Sequence, residues 1–438
     1  MADSVVRRAI PEDEARQRRE RWPFAEPAVW TDRMLAALED GVKGGNWYSL
    51  MDKVCARRTL EASWRRVRTN AGAAGVDGES VKRFERHAER YLEELSAALR
   101  EGRYQPQGVR RVYIPKAGGG QRPLGIPVVK DRVVQGALKL VLEPIFEREF
   151  CAWSYGFRPG RGAKDALREV DRLLKEGYAW VVDADLKSYF DTIPHDRLMD
   201  RVRTRVQDGR VLKLIERYLK QEIMDGTERW TPSRGSPQGA VLSPLLANVY
   251  LHEMDVTLGE RFRIIRYADD FVVLCCDEDE ARMALEAVTV WTESEGLTIH
   301  PDKTRIGNCR RSGQGFEFLG YRFEQGRRSV RRKSRQAFRE RIRARTRRSC
   351  GRSVPQVIAT LNPMLWGWFH YFKHAHPRVF QDMDQFVRRR LRAIRCKQQK
   401  RPSHGSTRSA NRRWPNRYFA GLGLISLKLA HDLARRSR

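Results

Sequence analysis

The apolar positions of the chain recur at two different spacings. A period of three to four residues predicts helices in the N-terminal half, in the segments 47–67, 81–102 and 128–144, with Pro144 ending the third. The glycine-rich segment 71–78 separates the first two helices. Alternation of apolar and polar residues predicts a strand at 109–116, which a turn-rich stretch follows up to Pro127.

Two largely apolar stretches predict buried strands further along the chain. One covers residues 179–186, and the other flanks the sequence Tyr-Ala-Asp-Asp at 267–270 on both sides. Beyond residue 324 the composition becomes basic, and the apolar positions predict helices at 354–375 and 379–397. These segments together indicate a protein of mixed α and β structure.

The length and composition of the chain are those of a globular protein. With 438 residues, of which 41% are hydrophobic and 9% aromatic, the chain is long enough for two or three domains with apolar cores. No stretch approaches the roughly 18 apolar residues of a membrane span, and the first residues lack the apolar segment of a secretory signal. The seven cysteines never form a Cys-x-x-Cys pair, which argues against a disulfide framework and a zinc site. We therefore expect a soluble intracellular protein without a membrane partner.

The net charge of +30 is concentrated at one end of the chain. Residues 322–438 contain 32 Lys and Arg against 5 Asp and Glu, whereas residues 1–321 contain 53 against 50. A basic region of this size favours a long polyanion as the partner, and nucleic acid is the first candidate. The alternatives are a solubilising basic surface or a surface for anionic membranes, but neither accounts for the aromatic residues interleaved with the arginines.

The adjacent carboxylates of Asp269 and Asp270 are unusual for a turn between two buried strands. Hard oxygen ligands in this position suit Mg²⁺, and Asp185, at the end of another buried strand, supplies a third. Three carboxylates on neighbouring strands can hold two ions about 4 Å apart, the arrangement that promotes nucleotide transfer. Asp183 shares the face of Asp185 and is assigned a supporting role. The alternative is a turn that merely tolerates two acids.

The Tyr-Ala-Asp-Asp sequence resembles the signature of reverse transcriptases, and in particular of group II intron reverse transcriptase/maturases. Other segments resemble successive blocks of that family in the same order, over residues 45 to 430. They are GAAGVDG (72–78), IPKAGGGQRPLGIP (114–127), SYGFRPGRGAKDAL (154–167), DADLKSYFDTIPH (183–195), RGSPQGAVLSPLLANVYLHEMD (234–255), LTIHPDKT (297–304), FEFLGYRF (316–323), LNPMLWGWFHYF (361–372) and WPNRYFAGLGLISL (414–427).

This resemblance implies an α+β fold of the right-hand polymerase type. Its fingers and palm, with an antiparallel sheet that carries the acids, would be followed by an α-helical thumb/maturase domain. We expect an N-terminal extension, loosely held or forming a helical arm, at 1–45, fingers and palm at 46–323, the thumb/maturase domain at 324–400, and a basic C-terminal segment at 401–438.

The resemblance also implies contacts to an incoming deoxynucleoside triphosphate. Lys116 and Arg122 flank a glycine loop that can approach phosphates closely, and they match the family's triphosphate contacts in the fingers. Phe190 takes the place of the bulky residue that meets the sugar 2′ position. Gln238 lies on the Ser-Pro-Gln-Gly turn, where it can bond the nucleotide or the template backbone. Lys303 is a candidate for steering the triphosphate or protonating pyrophosphate.

RNA contacts are expected in two regions of the chain. Arg158 and Arg161 match residues of the fingers that contact the template. In the basic tail, the arginines after residue 326 suit phosphate contacts that confer affinity without base specificity, and most of the tail's aromatic residues are assigned to packing. The tail arginines selected as RNA-binding candidates are Arg328, Arg332, Arg335 and Arg339.

We therefore expect an RNA-directed DNA polymerase that uses two Mg²⁺ ions on Asp185, Asp269 and Asp270. Its partners would be group II intron RNA, whose splicing and retromobility it assists, and an RNA template with a DNA primer, in a bacterial cytoplasmic ribonucleoprotein. The alternative is a host-adopted relative that acts in defence or CRISPR spacer acquisition. Because the sequence has no room for the His-Asn-His nuclease domain found in many relatives, we do not expect it to cleave DNA.

Overall fold

The computed structural model describes residues 12–115, 120–401 and 404–436. Lys116 therefore lies outside the described residues. The chain forms two compact units: the first runs to Tyr178 and resumes from Ala184 to Ile306, and the second combines Ala179–Asp183 with the chain from Gly307 onward. Each unit has its own apolar core.

The first unit contains most of the helices. In chain order they are α1 (Glu12–Arg21), α2 (Asp32–Asp40), α3 (Met51–Val54), α4 (Arg57–Asn70), α5 (Val81–Arg86), α6 (Ala88–Arg100), α7 (Val129–Glu147), α8 (Ala163–Glu176), α9 (Tyr189–Thr192), α10 (His195–Arg203), α11 (Gly209–Leu219), α12 (Ser243–Gly259) and α13 (Glu278–Ser294). Two predicted helices are thus interrupted, the first at Ala56, which has extended backbone angles, and the second at His87.

The strands before residue 309 form two four-stranded sheets, and of these strands residues 180–183 and 307–308 are counted with the second unit. Their strands are β1 (Val109–Pro115), β2 (Gln121–Ile126), β3 (Trp180–Asp185), β4 (Ile223–Asp225), β5 (Glu228–Trp230), β6 (Arg263–Tyr267), β7 (Asp270–Cys275) and β8 (Arg305–Asn308). One sheet has the order β2-β1-β4-β5 and the other β6-β7-β3-β8. β2 lies in the stretch predicted to be turn-rich. Pro123 is tolerated there because β2 is an edge strand.

The second unit is smaller and largely helical. Its elements are β9 (Phe316–Phe318), β10 (Tyr321–Glu324), β11 (Arg327–Val330), α14 (Arg332–Arg345), α15 (Val354–Phe372), α16 (Arg378–Gln398), α17 (Arg408–Arg413), α18 (Asn416–Gly421) and α19 (Leu427–Arg436). The three strands form an antiparallel sheet. Arg328 therefore lies on a strand, at the start of the region that was expected to be the α-helical thumb/maturase domain.

The prediction that Pro144 ends its helix is wrong, because α7 continues to Glu147. Pro144 lacks the N–H that would bond the carbonyl of Leu140. The indole N–H of Trp30 donates to that carbonyl instead, at 3.0 Å. Trp30 is fully buried, so the chain between α1 and α2 is packed against the first unit and is not loosely held. Within the described ranges, no helix is long and apolar enough to cross a membrane.

Candidate active site

The Tyr-Ala-Asp-Asp sequence forms a tight hairpin turn between β6 and β7. Tyr267 pairs with Asp270, which leaves Ala268 and Asp269 as the two residues of the turn. Ala268 has a φ of 59°, a left-handed conformation that favours glycine and is costly for alanine. The strands beside the turn are buried, and the turn holds its two carboxylates at the end of the hairpin.

Asp269 and Asp185 are electrostatic neighbours, although they come from different strands. Burial raises the pKa of Asp269 above its ordinary value, and the negative charge of Asp185 raises it further. The positive charges of Arg122 and Arg266 oppose this rise and lower the pKa of Asp269. The end of β3 and the hairpin turn therefore bring their acids together, with Arg122 of β2 close enough to act on them.

Lys303 is bound to one of these acids. The backbone N–H of His300 donates to the carbonyl of Asp185 at 2.7 Å, and that of Lys187 donates to the carbonyl of Thr298 at 2.8 Å. The loop 298–303 therefore runs alongside the end of β3, and the Lys303 ammonium donates to Oδ2 of Asp185 at 2.5 Å. Both side chains remain partly exposed, at 58% and 32% of their surface.

Oxygen donors of this kind suit a hard divalent cation. Within the residues that the structure describes, no group of three or more His, Cys, Asp or Glu side chains stands ready to hold a metal ion. At Asp185, the Lys303 ammonium donates to Oδ2, one of the two carboxylate oxygens. The carboxylate oxygens therefore fit a cation, and a cation that bound Oδ2 of Asp185 would displace Lys303 from it.

Gly156 lets a second segment approach the Tyr-Ala-Asp-Asp turn. A Cβ atom at this position would lie 2.1 Å from the backbone nitrogen of Ala268. The amide of Asn248 on α12 donates to the carbonyl of Gly156 at 2.8 Å. Next to it, Phe157 has a φ of 60°, is 46% exposed and lies 6.3 Å from the ring of Phe190. The segment that starts at Ser154 thus packs directly on the Tyr-Ala-Asp-Asp turn.

Phe190 and Gln238 share a cavity of about 350 Å³ with Arg111 and Trp230. The Arg111 guanidinium lies over the Trp230 ring at 4.9 Å. The Gln238 carbonyl accepts a hydrogen bond from the N–H of Gly125 at 2.7 Å, which joins β2 to the Ser-Pro-Gln-Gly turn. The structure therefore brings together two of the predicted nucleotide contacts.

The two predicted template arginines differ in their environment. Arg158 is buried: its side chain forms a two-pronged pair with Glu147 and donates to the carbonyls of Cys151 and Ser154. Its donors are therefore committed inside the protein, and the assignment of Arg158 to RNA binding stays a prediction that these contacts do not favour. Arg161 remains half-exposed, although it donates to the carbonyl of Ala152 and lies over the Tyr155 ring.

Arg266 has an important position that the sequence reasoning missed. Its side chain is fully buried and donates to the carbonyl of Ala268, inside the Tyr-Ala-Asp-Asp turn, at 2.8 Å. The signal in the sequence was a charged residue within an apolar strand, one position before the motif. Such a residue is buried only if its donors are satisfied.

The second unit carries a basic surface, which we define as Arg339 and Arg343 of α14 with Arg389 and Arg390 of α16. The first three guanidinium groups lie 5.4 to 5.5 Å from the ring of Phe386. Burial lowers the pKa of Arg390, and the charges of Arg343, Arg389 and Arg348 lower it further. In the part of the chain that the structure describes, no carboxylate forms an ion pair with these four arginines.

The other tail arginines predicted to bind RNA come shortly before Arg339 in the sequence. Arg332 is exposed at the start of α14, whereas Arg328 and Arg335 are half-buried. The aromatic residues of α15 pack as predicted for most of them: Trp368 stacks on Phe338 at 4.5 Å, while Trp366 remains 46% exposed.

Comparison with known proteins identifies the family. Residues 114–323 match the family "Reverse transcriptase (RNA-dependent DNA polymerase)", and residues 335–414 match the "Group II intron, maturase-specific domain". Protein YkfC of Escherichia coli (strain K12) is 33% identical over 69% of this chain and 85% of its own length. This chain belongs to the group II intron reverse transcriptase/maturases. It is an RNA-directed DNA polymerase, and the predicted fold class is confirmed.

Two further relatives complete the comparison. The group II intron-encoded protein LtrA of Lactococcus lactis subsp. cremoris is 36% identical over 44% of this chain, which spans 32% of LtrA. A chain of the solved "Partial Cas6-RT-Cas1–Cas2 complex" is 25% identical and covers 56% of this chain and 41% of its own length, with a TM-score of 0.37, too low to carry an argument. Members of the reverse transcriptase family use divalent metal ions, and the maturase domain makes RNA a partner.

Proposed function

We propose that this reverse transcriptase/maturase performs RNA-templated DNA synthesis at Asp185, Asp269 and Asp270, and that these residues hold two Mg²⁺ ions. The observation that supports the site is the electrostatic coupling of Asp185 with Asp269 across two strands. Bound ions of this kind neutralise the phosphates and activate the primer 3′-hydroxyl. The carboxylates orient the ions, and the buried strands below keep the acids in place.

The residues around the acids have separate tasks in this proposal. Arg122, already close enough to act on Asp269, binds the triphosphate together with Lys116. Lys303 leaves Asp185 when the site is loaded and turns to the triphosphate or to the departing pyrophosphate. Phe190 and Gln238, which line one cavity, position the sugar and the nucleotide or template backbone.

The second unit is proposed to bind intron RNA and to assist its splicing and mobility. The charges of Arg343 and Arg389 repel that of Arg390, and bound phosphates would relieve this repulsion. Arg328, Arg332 and Arg335 are proposed to extend this contact. A cytoplasmic ribonucleoprotein with the intron RNA follows from this proposal.

Primer extension on an RNA template tests the polymerase site. We expect Asp269→Asn to abolish DNA synthesis and to leave the Kd for intron RNA within about twofold of wild type, because the carboxylate acts on the reaction and lies outside the basic surface. Glu286→Gln, at an exposed position of α13, is the matched control and should retain full activity. Synthesis by the Asp269→Asn variant would refute the proposed site.

A splicing assay at low Mg²⁺ tests the maturase role and separates it from the host-adopted alternative. We expect wild-type protein and the Asp269→Asn variant to promote splicing of the cognate intron RNA equally. A protein that synthesises DNA but neither binds nor splices intron RNA would support the host-adopted role.

A further inference from the structure

Arg266 joins three parts of the first unit through one buried guanidinium group. It forms a two-pronged ion pair with Asp255 of α12, at 2.7 Å and 2.5 Å, and both side chains have no exposed surface. It also donates to Oδ1 of Asn248 at 3.0 Å, to Oγ of Ser154 at 2.8 Å and to the carbonyl of Ala268 at 2.8 Å. All its side-chain nitrogens are therefore engaged.

The backbone of Arg266 is also hydrogen-bonded to the segment that contains Ser154. The N–H of Arg266 donates to the carbonyl of Trp153 at 2.9 Å, and its carbonyl accepts from the N–H of Tyr155 at 2.9 Å. Side chain and backbone thus hold the segment 153–156 against the hairpin. This is the segment whose Gly156 touches the backbone of Ala268.

Asp255 explains why a charge can be buried here. Burial lowers the pKa of Arg266, but the charge and hydrogen bonds of Asp255 more than offset that effect, so the pKa is raised. The left-handed backbone of Ala268 explains why the turn needs a partner. The carbonyl of Ala268 belongs to this strained turn, and the hydrogen bond that it accepts from Arg266 orients it.

We propose that Arg266, held by Asp255, is the positioning residue of the active site: it locks the Tyr-Ala-Asp-Asp turn and the segment 153–156 into one rigid arrangement. It touches neither substrate nor reacting atoms, and it acts through the turn that carries Asp269 and Asp270. The proposal rests on the proposed function for its catalytic consequence. Its structural consequence, a turn that loosens without Arg266, stands by itself.

Three variants separate positioning from simple stability. Arg266→Met leaves Asp255 buried without a partner and should lower Tm by roughly 10 °C. The double variant Arg266→Met/Asp255→Leu removes both charges and should recover at least half of that loss, because apolar side chains can replace a buried ion pair. Arg266→Lys keeps the charge but lacks the planar fork that reaches several acceptors at once.

We expect all three variants to keep a low kcat, about 100-fold below wild type, because a small displacement of reacting groups has an effect of this size. The KM for deoxynucleoside triphosphate and the Kd for primer-template should stay within about twofold. Hydrogen exchange of the peptide around residues 266–272 should be faster in each variant. Arg201→Met is the matched control, since Arg201 pairs with Glu253 and Glu295 away from the turn. It should lose stability and keep kcat.

The proposal would be overturned if the double variant or Arg266→Lys had the kcat of wild type and also the wild-type rate of hydrogen exchange in the turn. If the methionine variants do not fold, Arg266→Lys alone decides. If wild-type protein synthesises no DNA, the proposed function fails, whereas the exchange of the turn still decides whether Arg266 positions it.

Discussion

Lys303 and Asp185 form an ion pair in which 2.5 Å separates Nζ from Oδ2. The lysine comes from the loop after α13 and the aspartate from the end of β3, more than a hundred residues apart in the chain. A cation already neutralises one of the three acids before any metal ion binds. Metal binding must therefore compete with this ammonium group.

Removing that competitor should tighten metal binding. For Lys303→Gln we expect a Kd for Mn²⁺ up to about fivefold lower than wild type, because a partly exposed ion pair contributes up to about 1 kcal/mol. Mn²⁺ titration followed by electron paramagnetic resonance measures this without substrate. Lys187→Gln removes the same charge from an exposed position close to Asp185 and should have a smaller effect. Equal tightening in both variants would mean that only the general charge matters.

The raised pKa of Asp269 predicts a stability cost that depends on pH. Below the ordinary value of 3.8 the carboxyl is protonated in both the folded and the unfolded state. As pH rises, Asp269 ionises first in the unfolded state. The free energy of unfolding therefore falls, and it stops falling once the pH has passed the raised pKa of Asp269 in the folded state. In EDTA, Asp269→Asn should therefore raise Tm at neutral pH, and by progressively less toward pH 4.

Thermal unfolding at a series of pH values measures this difference. Asp302→Asn, at an exposed residue of the neighbouring loop, serves as the control and should show no such trend. A gain in Tm that is the same at pH 4 and pH 7 would contradict the electrostatic explanation.

Gly156→Ala should impair the catalytic turn. The added Cβ would lie 2.1 Å from the nitrogen of Ala268, so that either the segment or the turn has to move. We expect a lower Tm and a kcat reduced by about 10-fold or more. Gly209→Ala is the matched control, because a Cβ there meets nothing within 4 Å and alanine favours a helix. Normal synthesis by Gly156→Ala would show that the turn tolerates displacement.

The basic surface should contribute to RNA affinity in proportion to its phosphate contacts. For the triple variant Arg339→Gln/Arg343→Gln/Arg389→Gln we expect weaker binding of intron RNA and a salt dependence whose slope falls by roughly 0.7–0.9 per lost contact. Fluorescence anisotropy over a range of salt concentrations gives both quantities.

A control must remove the same charge from another surface. Arg172, Arg203 and Arg282 each pair with a neighbouring acid on the first unit, so replacing these three by glutamine should change the slope less. The same slope in both triple variants would indicate that net charge alone governs binding.

Local patterns determined much of this protein. The apolar runs around Tyr-Ala-Asp-Asp and the helices of the basic region follow from the order of residues, because burial and period are encoded nearby in the chain. The choice of Asp185 as the third acid rests on the same kind of pattern and stays a prediction. The family and the polymerase fold were accessible for the same reason, since several motifs occur in one order.

Only the tertiary structure decided how distant groups satisfy one another. Trp30 lets α7 continue through Pro144 because its indole bonds a carbonyl more than a hundred residues away. Glu147 turns Arg158 from an expected RNA contact into a buried one, and Asp255 makes it possible to bury Arg266 beneath the catalytic turn. Each of these outcomes depends on which partner reaches a buried polar group, and that partner is set by three-dimensional packing, which local sequence patterns do not specify.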